Sequence, residues 1–245
     1  MCEATDSTQP DERVPDDHAA RQAPSRHRRR NLLIAAVVGS ALLAAAGIAA
    51  VAALLPAPPR TVAAVDMNGE PVFADDVQFS TTEQIAAMDV APIEGVHVTV
   101  PSVGLDVPLN ELSVVGGAVV PPDFVSAFRI RDYGVPLAGA PTGSVFIAMH
   151  SIRGSGVAPG NYLFDTKTGR GTLTAGEEIR VGNLSYTVTA TTRFSKVAVP
   201  RNHAVWANTP GRLVILTCLQ NPHGGASTDN LVVEAVLNQP TPDQP

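Results

Sequence analysis

Two side chains in this 245-residue sequence combine into acyl-transfer chemistry: the thiol of Cys218 and the imidazole of His150. Cys218 ends the apolar run RLVILTC and opens on the polar, turn-rich LQNPHGG. His150 ends the apolar run SVFIAMH and opens on SIRGSG. Each stands where a strand gives way to a loop, a place from which a side chain meets substrate. A thiolate attacks a carbonyl carbon, and a nearby imidazole takes and returns the proton. A buried inert cysteine is the bland alternative, since cysteine is a common core residue, but a strand terminus argues against it. His223, in the loop after Cys218, is the second candidate partner. His97, at a strand start, and His203, in RNHAVW, read as structural or solvated.

The elements that would hold this pair begin with a membrane anchor. Residues 32–55 read LLIAAVVGSALLAAAGIAAVAALL without a charge, and as a helix this stretch of about 36 Å crosses a hydrocarbon core of about 30 Å. A cleaved signal peptide has a shorter apolar stretch, so an uncleaved single-pass anchor is the better reading. Arg26, Arg28, Arg29 and Arg30 precede it, which places the N-terminus in the cytoplasm and the rest of the chain outside. The polar segment 1–31 is expected to be a disordered cytoplasmic tail. Residues 56–95 are expected to be an extracytoplasmic linker with one short helix near Thr82–Met88, opened by the capping signal TTEQ. Residues 239–245 are expected to form a disordered C-terminal tail.

The membrane then separates Cys2 from Cys218, so the two cannot pair. A lone thiol on an outward-facing domain is an oxidation hazard unless it does chemistry. The net charge of −6 falls on the outward part, because the tail carries equal numbers of each sign. That balance excludes a nucleic-acid partner.

From about Val96 to residue 238 short β-rich runs follow one another: HVTV, GLDVPL, SVFIAMH, EEIRV, LSYTVTATTRF, RLVILTC and NLVVEAVL. Gly, Pro, Asn and Asp clusters separate them, and no sustained 3.6-residue period appears. The expected fold class is all-β, a closed barrel or sandwich. No phosphate loop or Cys/His metal cluster is present in the sequence, and no cofactor is expected.

In this order the segments resemble the sortases, membrane-anchored cysteine transpeptidases of Gram-positive cell surfaces. VHVTVPSVGLDVPLNEL resembles the family's opening strands. PTGSVFIAMHS resembles the stretch that ends in its catalytic histidine, and GTLTAGEEIRVGNLSYTV resembles the hairpin that follows. RLVILTC resembles the strand that ends in the catalytic cysteine. The resemblance, to the actinobacterial class F-like forms in particular, implies a closed barrel of about eight strands with short helices. It also implies His150 and Cys218 as catalytic residues. One departure stands out. Where the family carries an arginine at the start of the last strand, STDNLVVEAVL offers Thr228, whose uncharged hydroxyl gives a developing oxyanion less. Arg153 is the first expected substitute, with Arg129 or Arg131 of the FRIRDYG segment behind it.

Three readings stay open. One is a transpeptidase that cleaves a C-terminal sorting motif of surface proteins through a thioester on Cys218 and transfers the acyl group to a peptidoglycan-precursor or pilin-lysine amine. The others are a thiol hydrolase of the same fold and a non-catalytic sortase-like binding domain.

Overall fold

The computed structural model describes residues 60–73 and 80–238. Cys2, the expected tail, the expected membrane span and the last seven residues lie outside the described residues. Twelve strands are present among the described residues: β1 (Val62–Val65), β2 (Pro71–Phe73), β3 (Ala91–Val100), β4 (Leu105–Leu112), β5 (Ala127–Ile130), β6 (Ser144–Met149), β7 (Phe164–Asp165), β8 (Arg170–Gly171), β9 (Glu178–Val181), β10 (Leu184–Ser195), β11 (Arg212–Leu219) and β12 (Asp229–Leu237). Eight of them close into a barrel in the order β10-β12-β11-β6-β5-β4-β3-β9, with β9 pairing back onto β10. Neighbours run antiparallel except β4 with β5 and β6 with β11. The expectation of a closed barrel of about eight strands is met.

Alternation along the strands separates two apolar layers. Val145, Ile147 and Met149 of β6 and Leu213 and Ile215 of β11 join residues from every other barrel strand, which identifies that cluster as the barrel interior. Their neighbours Phe146, Ala148, Val214 and Leu216 pack on the outer face with Phe128, Val232 and Trp206. β6 and β11 are thus covered on both sides, which explains why they read as unbroken apolar runs.

The stretch expected to be a tether holds more structure than its composition implied. β1 and β2 form a hairpin whose turn uses Gly69 at φ 80°. The Asp66 carboxylate accepts backbone N–H bonds from Asn68, Glu70 and Val157 at 2.8–2.9 Å, and Val72 is buried against Phe124, Ile152 and Ala158. The Asn68-Gly69 pair is a hairpin signal masked by its Ala- and Pro-rich surroundings. Helix α1 (Thr82–Ala87) is present as expected, with a capping box between Thr81 and Gln84. β3 begins at Ala91, five residues ahead of Val96.

Candidate functional site

The same alternation fixes which side chains meet. In β6 the outer face carries Phe146 and Ala148, so His150, the next even position, continues that face. In β11 Val214 and Leu216 lead to Cys218, and in β12 Val232 leads back to Asn230. The parallel register pairs Thr217 with Met149, and one step further His150 lies beside Cys218 on strands spaced about 4.8 Å apart. On the other side Cys218 pairs directly with Asn230. The three side chains therefore form a row across β6, β11 and β12 and line one cleft of about 720 Å³. Residues 68 positions apart in sequence become neighbours because two strands run parallel.

His150 is 7% exposed. Its ring stacks on Phe124 at 4.4 Å between centroids, and its Nε2 lies 2.8 Å from the Pro121 carbonyl oxygen. A carbonyl only accepts, so Nε2 carries the hydrogen and Nδ1 is left as the basic nitrogen of the neutral ring. Burial pushes the pKa of His150 down to about 4, against the Pro121 hydrogen bond, which favours the charged form, and with help from the positive charge of Lys196. At neutral pH the imidazole is therefore an unprotonated base. Cys218 is half-buried. Ser151 Oγ donates to the carbonyl of Cys218 and Gln220 Nε2 to Ser151 Oγ at 2.8 Å, which ties the ends of β6 and β11 together.

Behind this junction sits Gly160, in the 3-10 turn Pro159–Leu163, donating its N–H to the His150 carbonyl at 2.7 Å. Trp206, in the cleft lining, stacks on Phe146, packs tilted against Tyr133 and donates Nε1–H to the Val199 carbonyl at 2.8 Å. The cleft lining thus combines apolar side chains with the reactive groups.

The depressed pKa of His150 has a consequence for stability. Between pH 6.5 and about 4 the unfolded chain binds a proton that the folded chain refuses. The stability this neutral histidine contributes is complete above pH 6.5 and is lost as pH falls toward about 4, by up to about 3 kcal/mol. Thermal melts should show the wild type losing more Tm between pH 7 and pH 4.5 than His150→Gln, which keeps a hydrogen-bond donor without the titration. Equal losses would mean that the imidazole is not held neutral by burial.

Other expected site residues fall differently. Arg153 lines the cleft, on the loop that follows His150. Thr228 is exposed and its hydroxyl donates to the Asp229 carboxylate at 3.0 Å; the residue paired with Cys218 is Asn230, two positions on. Arg129 belongs to strand β5 rather than a loop, and its side chain shares the face of Ala127, away from Cys218. It is held by the Glu111 carboxylate, which also takes Arg131 Nε at 3.0 Å. Burial works against that carboxylate, but the two guanidiniums keep its pKa below the ordinary value. Both arginines are therefore withdrawn as substitutes. His223 is exposed and lies outside the cleft lining. His97 pairs with Asp106 on the surface. His203, read as structural or solvated, lines the cleft rim. Asn230 and Lys196 carried no sequence signal, since only strand register brings them toward the thiol, and Gln220 stood out as no more than a loop residue. Among the described residues no three His, Cys, Asp or Glu side chains converge as a metal site.

No family model and no curated protein matches this sequence. Among solved structures the chain is similar to sortase A of Listeria monocytogenes, with 19% identity over 59% of this chain and 86% of that one and a TM-score of 0.42. It is similar to sortase C-1 of Actinomyces oris, with 16% identity over 76% and 91% and a TM-score of 0.45. It is also similar to a pilus-related sortase C of Group B Streptococcus, with 15% identity over 71% and 79% and a TM-score of 0.43.

Proposed function

We propose that this chain is a sortase-type cysteine transpeptidase, held at the cell membrane by residues 32–55 with its barrel outside the cytoplasm. The observation that carries the reading is the row in which Cys218 stands beside a buried, neutral His150 at the edge of an open cleft. The resemblance of the sequence segments to class F-like sortases supports it. The client is a surface protein presenting a C-terminal sorting motif in extended form along the cleft.

In the first half-reaction Nδ1 of His150 accepts the thiol proton and the Cys218 sulfur bonds to the carbonyl carbon of the scissile peptide. The carbonyl π pair moves to oxygen as an oxyanion. When the C–N bond breaks, the leaving amine takes the proton from the imidazolium, and an acyl thioester remains on Cys218. In the second half-reaction an acceptor amine, from a peptidoglycan precursor or a pilin lysine, attacks the thioester. His150 removes the amine's proton and returns it to the departing thiolate. Atoms and protons balance over the two halves.

Intact-mass measurement of the purified outward domain with sorting peptides should show the acyl fragment's mass added at Cys218. Added amine should remove that adduct and give a ligated peptide. Free acid as the sole product in the presence of amine would make the protein a thiol hydrolase. Bound peptide without any adduct would make it a binding domain.

A further inference from the structure

We propose that Lys196, reaching in from beyond the end of β10, supplies the positive charge of the reaction centre, steadying the Cys218 thiolate and then the oxyanion. The proposal rests on the reading of Cys218 as a nucleophile, and it assigns a group that neither strand of the Cys218–Asn230 pair carries. Acyl transfer through a tetrahedral intermediate places a full negative charge on oxygen next to the sulfur, so a cation at that point lowers the barrier. The last strand offers no cation there: Asn230 is neutral, and Thr228 spends its hydroxyl on Asp229.

The adjoining strand does offer one. Ser195, the last residue of β10, pairs with Asp229, and Phe194 pairs with Asn230. One step outward the Lys196 N–H donates to the Thr228 carbonyl at 2.9 Å, so Lys196 and Thr228 stand opposite each other. Lys196 lies two residues from Phe194, which packs in the outer cluster beside Val232, and so faces the same side as Cys218. Its side chain lines the cleft with Cys218, His150 and Asn230. In register the row reads His150, Cys218, Asn230, Phe194, and Lys196 stands two residues beyond Phe194 on the same face, opposite Thr228.

Two observations on charge agree. Among the described residues no aspartate or glutamate lines the cleft. The ammonium also acts on the groups around it: it helps depress the pKa of His150, mainly set by burial, and that of Asp229, mainly set by the Arg193 hydrogen bond. Arg193 holds the Asp229 carboxylate from the opposite side. Arg153 also lines the cleft, on the loop after His150.

The test needs no knowledge of the client. Alkylation of Cys218 is followed by mass spectrometry with iodoacetate, which is anionic, and iodoacetamide, which is neutral. A cation next to the sulfur favours the anionic reagent selectively. Lys196→Met should lower the ratio of iodoacetate to iodoacetamide rates by about five-fold, whereas Lys196→Arg should keep the wild-type ratio. Lost packing would slow both reagents alike and leave the ratio unchanged. An unchanged ratio in Lys196→Met, or an equal fall in Lys196→Arg, overturns the role given to the charge and leaves the nucleophile intact. Failure of wild-type Cys218 to react with either reagent overturns the nucleophile itself, and this proposal with it.

Discussion

Cys218→Ala should abolish acyl transfer, by at least about 10⁴-fold in kcat/KM, while leaving the melting temperature nearly where it was. The first half follows from the chemistry. Without sulfur there is no thioester, and the remaining groups can only offer an imidazole and donors to a substrate that nothing attacks. The second half follows from the structure. What β11 needs from this position is its backbone carbonyl, which the Ser151 hydroxyl holds, and its place in the ladder opposite Asn230; alanine preserves both. Because the side chain is only half-buried, truncation leaves little cavity, and the stability loss should stay within about 1 kcal/mol. Peptide ligation and thioester trapping measure the activity, and a thermal melt measures the fold. Residual ligation at the wild-type rate would remove Cys218 from the mechanism.

Gly160→Ala should produce the next largest loss, from a residue that touches no substrate. A Cβ at this position would lie 2.0 Å from Thr217 Oγ1 and 2.7 Å from the His150 carbonyl oxygen, well inside contact distance. Thr217 immediately precedes Cys218, and His150 begins the loop that leaves β6, so relief of the clash must push apart the two strand ends that carry thiol and imidazole. Misplacing reacting groups by about 1 Å costs on the order of 10²-fold in rate, and overpacking costs about 1–3 kcal/mol in stability. Both effects should appear together, as a fall in kcat/KM and a fall in Tm. The double variant Gly160→Ala with Thr217→Ala should recover part of each, because it removes the hydroxyl that the new methyl strikes. That hydroxyl is buried without a hydrogen-bond partner among the described residues, so its loss costs little in itself. Wild-type activity in Gly160→Ala would show that the strand junction tolerates more freedom than its packing implies.

Much of this site was legible in the sequence, and the reason is local. Cys218 and His150 end apolar runs that had to be strands buried on both faces, and their loops follow at once. Position within the segment was enough to bring them forward. The residues around them were hidden because their placement is a matter of register. Asn230 sits opposite Cys218 and Lys196 opposite Thr228 only once β10, β11 and β12 are aligned, and a one-residue slip would exchange faces. Arg129 misled for the same reason. It lies in AFRI, a strand of four residues too short to show alternation beside the charged segment that follows, and its parity turns it toward Glu111. The β1–β2 hairpin escaped because tertiary burial of Val72, rather than strand composition, stabilises it.

The parallel pairing of β6 with β11 also bears on how the fold comes into being. Parallel neighbours need a long crossover, and here the intervening chain includes β7, β8, β9 and all of β10. Closing such a loop is slow, because its entropy is spent before any contact compensates for it. A chain emerging N-terminus first presents His150 well before Cys218, and the thiol gains its neighbour only when the last two strands join the ladder. Until that closure the cysteine lacks its imidazole neighbour. The pairing of thiol and imidazole is thus coupled to completion of the fold, so a half-made chain does not yet hold the two side by side.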